Sequence, residues 1–341
     1  MMANLAAVGT YAAVYHVAMD GSDTASGTPA APFRTLSRAV KSASPGDTIL
    51  VHDGVYGHEG VVTGGDSADY AASPVVLRRS GDPSAWITIK AENKWRAVLD
   101  CEMLCDSYIN LLNASYVIIQ DFVITRGYKE GIHSNDAAHH IVLRGNRIEN
   151  IGNRLSFSRY GLDGMYTNPN CHDFVIDGNV FQAIGRVGGA NNLDHGLYLR
   201  GRNFTVTNNV FYDIYAGWAI QLADGLTNVL IANNTFAFSG RGGAGQIMLW
   251  QRQTDVTIRN NIFHRPHSYG IARYDSTVWG GCAIEHNVVS GAGLLMANSQ
   301  GCILWSNRTG VDLLFVNATA RPYDFHLRGD SPAIDAGAYR Q

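Results

Sequence analysis

The sequence is short of charge. Its 341 residues include 26 Lys+Arg and 29 Asp+Glu, for a net charge of −3, and no basic run occurs. A nucleic-acid partner is therefore not expected, because neutralising phosphates takes clustered cations. No apolar run reaches bilayer length, so no membrane partner is expected either. The opening, Met1 to Ala13, is mildly apolar but has no basic segment ahead of it, and no signal peptide is read there. Cysteine is sparse: Cys101, Cys105, Cys171, Cys282 and Cys302 have no metal-site spacing with His. Cys282 and Cys302 stand at equivalent places in the repeat described next. They are expected to stack as buried thiols rather than to form a disulfide.

What the sequence does have is glycine, 37 residues of it, and self-similarity. Thr205-Val206-Thr207-Asn208-Asn209-Val210-Phe211 is rewritten several times along the chain. Clear copies end on Asn146, Asn179, Asn234 and Asn261, and weaker ones on Asn287 and Asn307. The steps from Asn146 are 33, 30, 25, 27, 26 and 20 residues. Each copy alternates apolar and polar residues, which is the pattern of a half-buried strand. One unit cannot bury its apolar face alone, and stacking successive units can. The fold class expected is all-β: a single right-handed parallel β-helix of about ten coils. Asn at the recurrent corner suits a left-handed turn and a ladder of identical side chains.

One domain, 1–341, is expected. Residues 15–56 read as a cap region with a short amphipathic helix over Thr35–Ala43, residues 85–320 as the coils and 321–341 as a C-terminal tail. The Tyr15–Tyr56 run contains GSD, SGT, APFRTLSRAV and PGDTILVHDGVY. It resembles the opening of secreted right-handed β-helix proteins of the pectate lyase, chondroitinase B and alginate lyase types. The run Asp324-Phe325-His326-Leu327 followed by Ser331-Pro332-Ala333-Ile334-Asp335-Ala336-Gly337 is similar to their ending. The resemblance implies a pectate lyase-like solenoid, a polysaccharide substrate, a monomer and a secreted or periplasmic location. Calcium is the ion that similar sites hold with clustered carboxylates. Here only Asp163 with Asp194 offers such a pair; no cofactor is predicted, and calcium stays open.

A second strand recurs between the Asn corners: Gly131–Asn135, Gly164–Asn168, Gly196–Arg200, Ala219–Ala223, Gln246–Trp250 and Gly270–Tyr274. Its second position is always apolar and should point inward. The first, mostly Gly, is expected to face outward and leave room for a ligand. The third gives His133, Tyr166, Tyr198, Gln221 and Met248. The fifth gives Asn135, Asn168, Arg200, Ala223, Trp250 and Tyr274. Glu130, Asp163 and His195 precede the Gly, with Asp194 beside the last. Aromatics stack on sugar rings, and Arg or His neutralises a uronate carboxylate, so this face suits an extended sugar chain. Loops 150–162 and 182–194 should flank it.

Tyr160-Gly161-Leu162-Asp163 resembles the Tyr-Gly-Phe-Asp run of mannuronan C5-epimerases, and Asp194-His195-Gly196 resembles their His-Gly run. The likeness implies catalytic roles for Tyr160, Asp163 and His195. That family continues Asp-Pro-His, whereas Gly164-Met165 follows here. Elimination and epimerisation both begin by removing the C5 proton of a uronate. His195 is assigned as base or carboxylate neutraliser, Tyr198 or Tyr166 as acid, Arg200 as the carboxylate clamp and Asp163 as the residue that tunes His195. His133, Asp194, Gln221, Trp250, Tyr274 and Asn168 are expected to bind substrate, and no residue is expected to hold a metal. The reading is a polysaccharide lyase acting on a uronic-acid polymer. Epimerase, hydrolase using Asp163 with Asp194 or Glu130, and non-catalytic glycan-binding solenoid stay open.

Overall fold

The computed structural model describes residues 12–59, 73–152, 161–188, 192–239, 245–251, 253–274, 280–291, 293–296 and 301–338. The chain winds as a right-handed β-helix whose coils feed three long parallel sheets. The first has eleven strands, from Val14–Val17 to Cys302–Trp305. The second has nine, from Val75–Leu77 to Leu294–Met296, and the third ten, from Gly54–Tyr56 to Arg308–Thr309. The first sheet begins at Val14–Val17, which pairs in parallel with Thr48–Val51, which pairs in turn with Ile87–Ala91. The solenoid therefore starts within the expected cap region, well before residue 85.

Inward columns fill the core. Phe181, Phe211, Phe236 and Phe263 stack at 4.8, 5.0 and 5.1 Å, all fully buried. Such spacing follows from the strand repeat, and the burial stabilises each ring by roughly 1.5–3 kcal/mol. The helix spans Leu36–Ser42. Thr35 caps it by accepting the Arg38 N–H at 3.1 Å, and Leu36, Ala39 and Val40 are buried. No helix among the described residues is long and apolar enough to cross a membrane. At the far end, Phe315–Asn317 pairs antiparallel with Asp324–Leu327, and Tyr323 and Phe325 of this hairpin pack on Phe238, just beyond a strand of the third sheet.

The Asn ladder is present from Asn146 to Asn307. Asn209 shows the unit. Its Oδ1 accepts the Asn179 N–H at 2.8 Å and the Asn179 Nδ2 at 3.0 Å. Its Nδ2 donates to the Ile176 carbonyl at 2.8 Å and to Asn234 Oδ1 at 3.0 Å. The left-handed residue is not the ladder Asn but the one before it. Gly145, Gly178, Asn208, Asn233, Asn260, His286 and Ser306 all have positive φ. The turn residue takes the left-handed backbone, and the next side chain tucks under the coil.

One cysteine expectation is corrected. Cys282 and Cys302 are register partners on adjacent strands, as expected, but they form a disulfide, with Cα atoms 4.4 Å apart. A second disulfide, Cys101–Cys105, spans a tight turn that the repeat did not reveal. Cys171 is free and buried.

Candidate active site

The nine-stranded sheet carries the candidate site. Glu130–Asn135, Asp163–Thr167, His195–Leu199, Ile220–Leu222, Gly245–Leu249 and Tyr269–Arg273 lie side by side. Register places His133 beside Tyr166, Tyr166 beside Tyr198, Tyr198 beside Gln221 and Gln221 beside Met248. The column read from the sequence is thus a physical one. The His133 and Tyr166 rings stack at 5.1 Å, and the Tyr166 and Tyr198 rings at 5.3 Å.

The glycines beside this column do not face the ligand side. A Cβ on Gly131 would strike Ile148 at 2.8 Å, one on Gly164 would strike Ile184 at 2.8 Å, and one on Gly196 would strike Phe211 at 3.0 Å. Each would also meet the carbonyl of the next coil, at 2.8, 2.5 and 2.5 Å respectively. The glycines face the core, where only a bare backbone fits, and the period-two alternation breaks at that point. The residue before each Gly is turned toward the ligand side instead, which brings Glu130, Asp163 and His195 to the cleft.

That cleft is about 520 Å³ in volume. Glu130, Asp163, Tyr166, His195, Tyr198 and Gln221 line its floor, and Trp218, Met248, Trp250 and Tyr274 continue it along the solenoid. Leu193 and Asn192 of the 182–194 loop form one wall, and Gly161 contributes beside them. Tyr160 and residues 153–159 of the other loop lie outside the described residues. Trp218 was missed by the sequence reading. It stands two residues before Ile220, the register partner of Leu197, so it continues the Glu130, Asp163, His195 column. Extending that column by one coil would have found it.

Four of the expected residues do not line the cleft. His133 is fully buried, with Nδ1 2.5 Å from Glu130 Oε2 and Nε2 2.7 Å from Asn135 Oδ1. Burial works to lower its pKa, but Glu130 and the Asn135 acceptor leave it raised. With both ring nitrogens donating, its role is to hold Glu130. Asn168 lies behind it and donates to Asn135 Oδ1 at 3.1 Å. Asp194 is fully buried and ion-paired with Arg186, whose backbone N–H and Nε reach it at 2.7 and 3.0 Å. Arg200 is ion-paired with Asp224, and its Nη1 donates to the Tyr166 hydroxyl at 2.6 Å. The guanidinium supports a tyrosine rather than facing the cleft.

The electrostatics of the floor are those of a dry site. Burial drives the His195 pKa down to about 3, and the Trp218 backbone N–H favours the neutral ring by occupying a lone pair. That N–H donates to His195 Nδ1 at 3.1 Å, so the neutral ring carries its proton on Nε2. The contact needs Gly217, where a Cβ would lie 2.9 Å from the same nitrogen. Burial, reinforced by the charges of Glu130 and Asp194, holds the Asp163 pKa well above the carboxylate range. Asp163 Oδ1 accepts the His195 backbone N–H at 3.0 Å, so it positions His195 through the main chain. Burial also raises Tyr198 and Tyr166, while Arg200 works against the rise at both. The floor therefore sets the His195 Nε2–H and the Tyr166 and Tyr198 hydroxyls beside the carboxyls of Asp163 and Glu130.

A calcium ion does not fit this donor set. Its ligands are ionised carboxylates and carbonyls. Asp194 is committed to Arg186, and Glu130 is held by His133. Among the described residues no cluster of three carboxylates gathers in the cleft.

A right-handed parallel β-helix with a groove along one sheet is the class this geometry defines. Residues 15–175 match the family described as "Pel9A-like, right handed beta helix region", and residues 157–319 match "Right handed beta helix region". Both descriptions name a right-handed β-helix region, and together the two matches span residues 15–319, in agreement with the observed fold. Among solved structures, pectate lyase Pel9A overlays with a TM-score of 0.65 at 16% identity, over 97% of this chain and 93% of that one. An alginate lyase from Paenibacillus sp. str. FPU-7 overlays with a TM-score of 0.54 at 18% identity, over 79% of this chain and 94% of that one. A structure titled "Glycoside hydrolase" overlays at 0.53 with 9% identity, over 87% of this chain and 97% of that one. These overlays show the shared fold. The uncharacterized protein YwoF of Bacillus subtilis (strain 168) is 26% identical over 138 residues, 40% of this chain and 28% of that protein.

Proposed function

We propose that the chain is a secreted polysaccharide lyase that cleaves a uronic-acid polymer by β-elimination in the cleft. The observation that carries this reading is that His195, its Nδ1 taken by the Trp218 N–H, lies directly beside Asp163, whose pKa burial raises well above the carboxylate range. Two neutral donors side by side in a desolvated floor suit a substrate carboxylate, which must be neutralised before its C5 proton becomes acidic. His195 then acts as neutraliser and not as base, because its one lone pair is taken by Trp218.

Proton transfer falls to the stacked tyrosines. Tyr166, its hydroxyl held by the Arg200 guanidinium, is the residue better supported as a phenolate and takes the C5 proton. Tyr198 gives its phenolic proton to the 4-oxygen as the C4–O bond breaks and the C4=C5 double bond forms. The Tyr166 proton then returns to Tyr198 through its neighbour's hydroxyl or water. Trp218, Trp250 and Tyr274 offer ring faces to the flanking sugars. The pectate and alginate lyases that share the fold support a uronate substrate. The two disulfides support an oxidising compartment.

A second reading, a glycoside hydrolase, rests on Glu130 and Asp163. They are register partners and both line the cleft. Adjacent strands lie about 4.8 Å apart, close to the roughly 5–5.5 Å carboxyl separation of retaining glycosidases. Alginate, pectate, glucuronan and glycosaminoglycans, assayed in parallel for ultraviolet absorbance and reducing ends, separate the readings. Both signals rising supports a lyase, and reducing ends alone a hydrolase. A changed proton spectrum of the intact polymer supports an epimerase, and no change on any substrate a binding solenoid.

A further inference from the structure

A second cluster lies on a different sheet from the cleft. His139 begins the strand His139–Arg144 of the eleven-stranded sheet, and His172 begins the neighbouring strand His172–Asp177. The two are register partners, and their rings stack at 4.8 Å with planes 1° apart. His140 would ordinarily point away from His139, since neighbouring strand residues alternate. It does not, because His140 has φ +52, and its Nδ1 lies 2.8 Å from His139 Nδ1. The left-handed residue recurs in this column: Tyr116, His140, Asp173, Asn203 and Asn228 all have positive φ. The coil geometry thus places two consecutive imidazoles of one coil beside a third from the next.

One ligand nitrogen from each ring can be chosen so that all three lie within 4.8 Å of one another. Asp173 takes His172 Nδ1 at 2.6 Å and receives Asn203 Nδ2 at 2.8 Å. A histidine that donates one nitrogen to a carboxylate presents the other as a lone pair to a metal. Asp173 Oδ2 also lies 3.7 Å from His140 Nδ1, so its carboxylate stands beside two of the three rings. Tyr116 stacks on His140 at 4.6 Å, and Trp86 lies 6.4 Å from the same ring.

We propose that His139, His140 and His172 bind a divalent transition-metal ion of the zinc or copper class, with Asp173 orienting His172. All-imidazole ligation selects such ions over calcium or magnesium. The His139–His140 hydrogen bond gives way to the ion, opening the nitrogens from 2.8 Å to roughly 3.3 Å, the separation that two Zn–N bonds of about 2.0–2.1 Å at a tetrahedral angle require. The ion ties two coils together at a distance from the cleft, so its role is to hold the solenoid.

The test uses full-length protein freed of any polyhistidine tag and stripped with chelator. Zn²⁺ titrated by calorimetry should bind saturably at about one equivalent, and the thermal midpoint should rise with it. Cu²⁺ should quench a tryptophan component that Trp86→Phe removes. His172→Asn should abolish binding, and Asp173→Asn should weaken it about 10–100-fold. His16→Gln tests the other close histidine pair, His16 with His52 at 2.9 Å, and should change nothing. No saturable binding, or binding unaltered in folded His139→Gln and His172→Asn proteins, would overturn the proposal. Binding that disappears in His16→Gln would overturn it equally. None of these readouts depends on cleavage of any polymer.

Discussion

The backbone N–H of Trp218 meets Nδ1 of His195 at 3.1 Å. This one hydrogen bond sets the tautomer of a fully desolvated imidazole and aims its remaining proton at the cleft. It also spans coils, since the donor lies 23 residues further along the chain.

His195 should therefore behave as a donor. His195→Ala should lower kcat by about 10²–10³-fold, the range for losing one preorganised hydrogen bond to developing charge. His195→Gln keeps an N–H near the Nε2 position and should retain more activity than Ala. With the His195 pKa depressed to about 3, no acid limb near 6.5 should belong to it in the rate profile. Equal loss in the Gln and Ala variants would speak against the donor role.

The Tyr166–Arg200 contact predicts an alkaline profile. The Tyr166 pKa lies above its ordinary 10 because of burial, with Arg200 opposing. The phenolate fraction then grows about tenfold per pH unit below that value, and kcat/KM should climb with it. Arg200→Gln removes the opposing charge and should shift the limb to higher pH. Tyr166→Phe should remove activity altogether. A flat profile through neutral and alkaline pH would rule out Tyr166 as base.

Asp163 predicts a trade of stability against activity. Its pKa in the fold is well above its ordinary 3.8, so the unfolded chain releases this proton before the folded one does. The contribution of Asp163 to stability is full below 3.8 and is lost as pH rises toward its folded value. Asp163→Asn should raise the thermal midpoint by an amount that widens from acid to neutral pH, while activity falls. His195 carries the opposite sign: its contribution is full above about 6.5 and is lost as pH falls toward about 3. Midpoints of both proteins measured across pH check the sign directly.

Asn209→Ala should destabilise the solenoid by about 3 kcal/mol. It orphans the Asn179 N–H and the Ile176 carbonyl, and unsatisfied buried groups cost about 1–3 kcal/mol each. Urea unfolding of the variant, with the midpoint converted through an unchanged slope, measures it. An exposed ladder neighbour such as Asn208→Ala should lose much less.

Much of the architecture was legible because stacked coils repeat their chemistry. The Asn ladder and the Tyr166–Tyr198 column follow from spacing alone. What spacing could not show is where the alternation breaks. The core-facing Gly131, Gly164 and Gly196 reverse the side chain that precedes them, and His140 with its positive φ joins His139 on one side. Partners set by a later coil were equally hidden. Arg186 withdraws Asp194 from the site, Glu130 withdraws His133, and Asp224 turns Arg200 toward Tyr166. The Cys282–Cys302 register was readable, but not whether the sulfurs would bond.

The central claim is elimination on a uronate polymer, and one digest followed in two channels tests it most directly. Ultraviolet absorbance counts new C4=C5 double bonds, and a reducing-end assay counts broken glycosidic bonds. The account predicts that the two rise together, about one double bond per new end, and that both vanish in Tyr198→Phe. Reducing ends without absorbance, or activity undiminished in Tyr198→Phe, would contradict it.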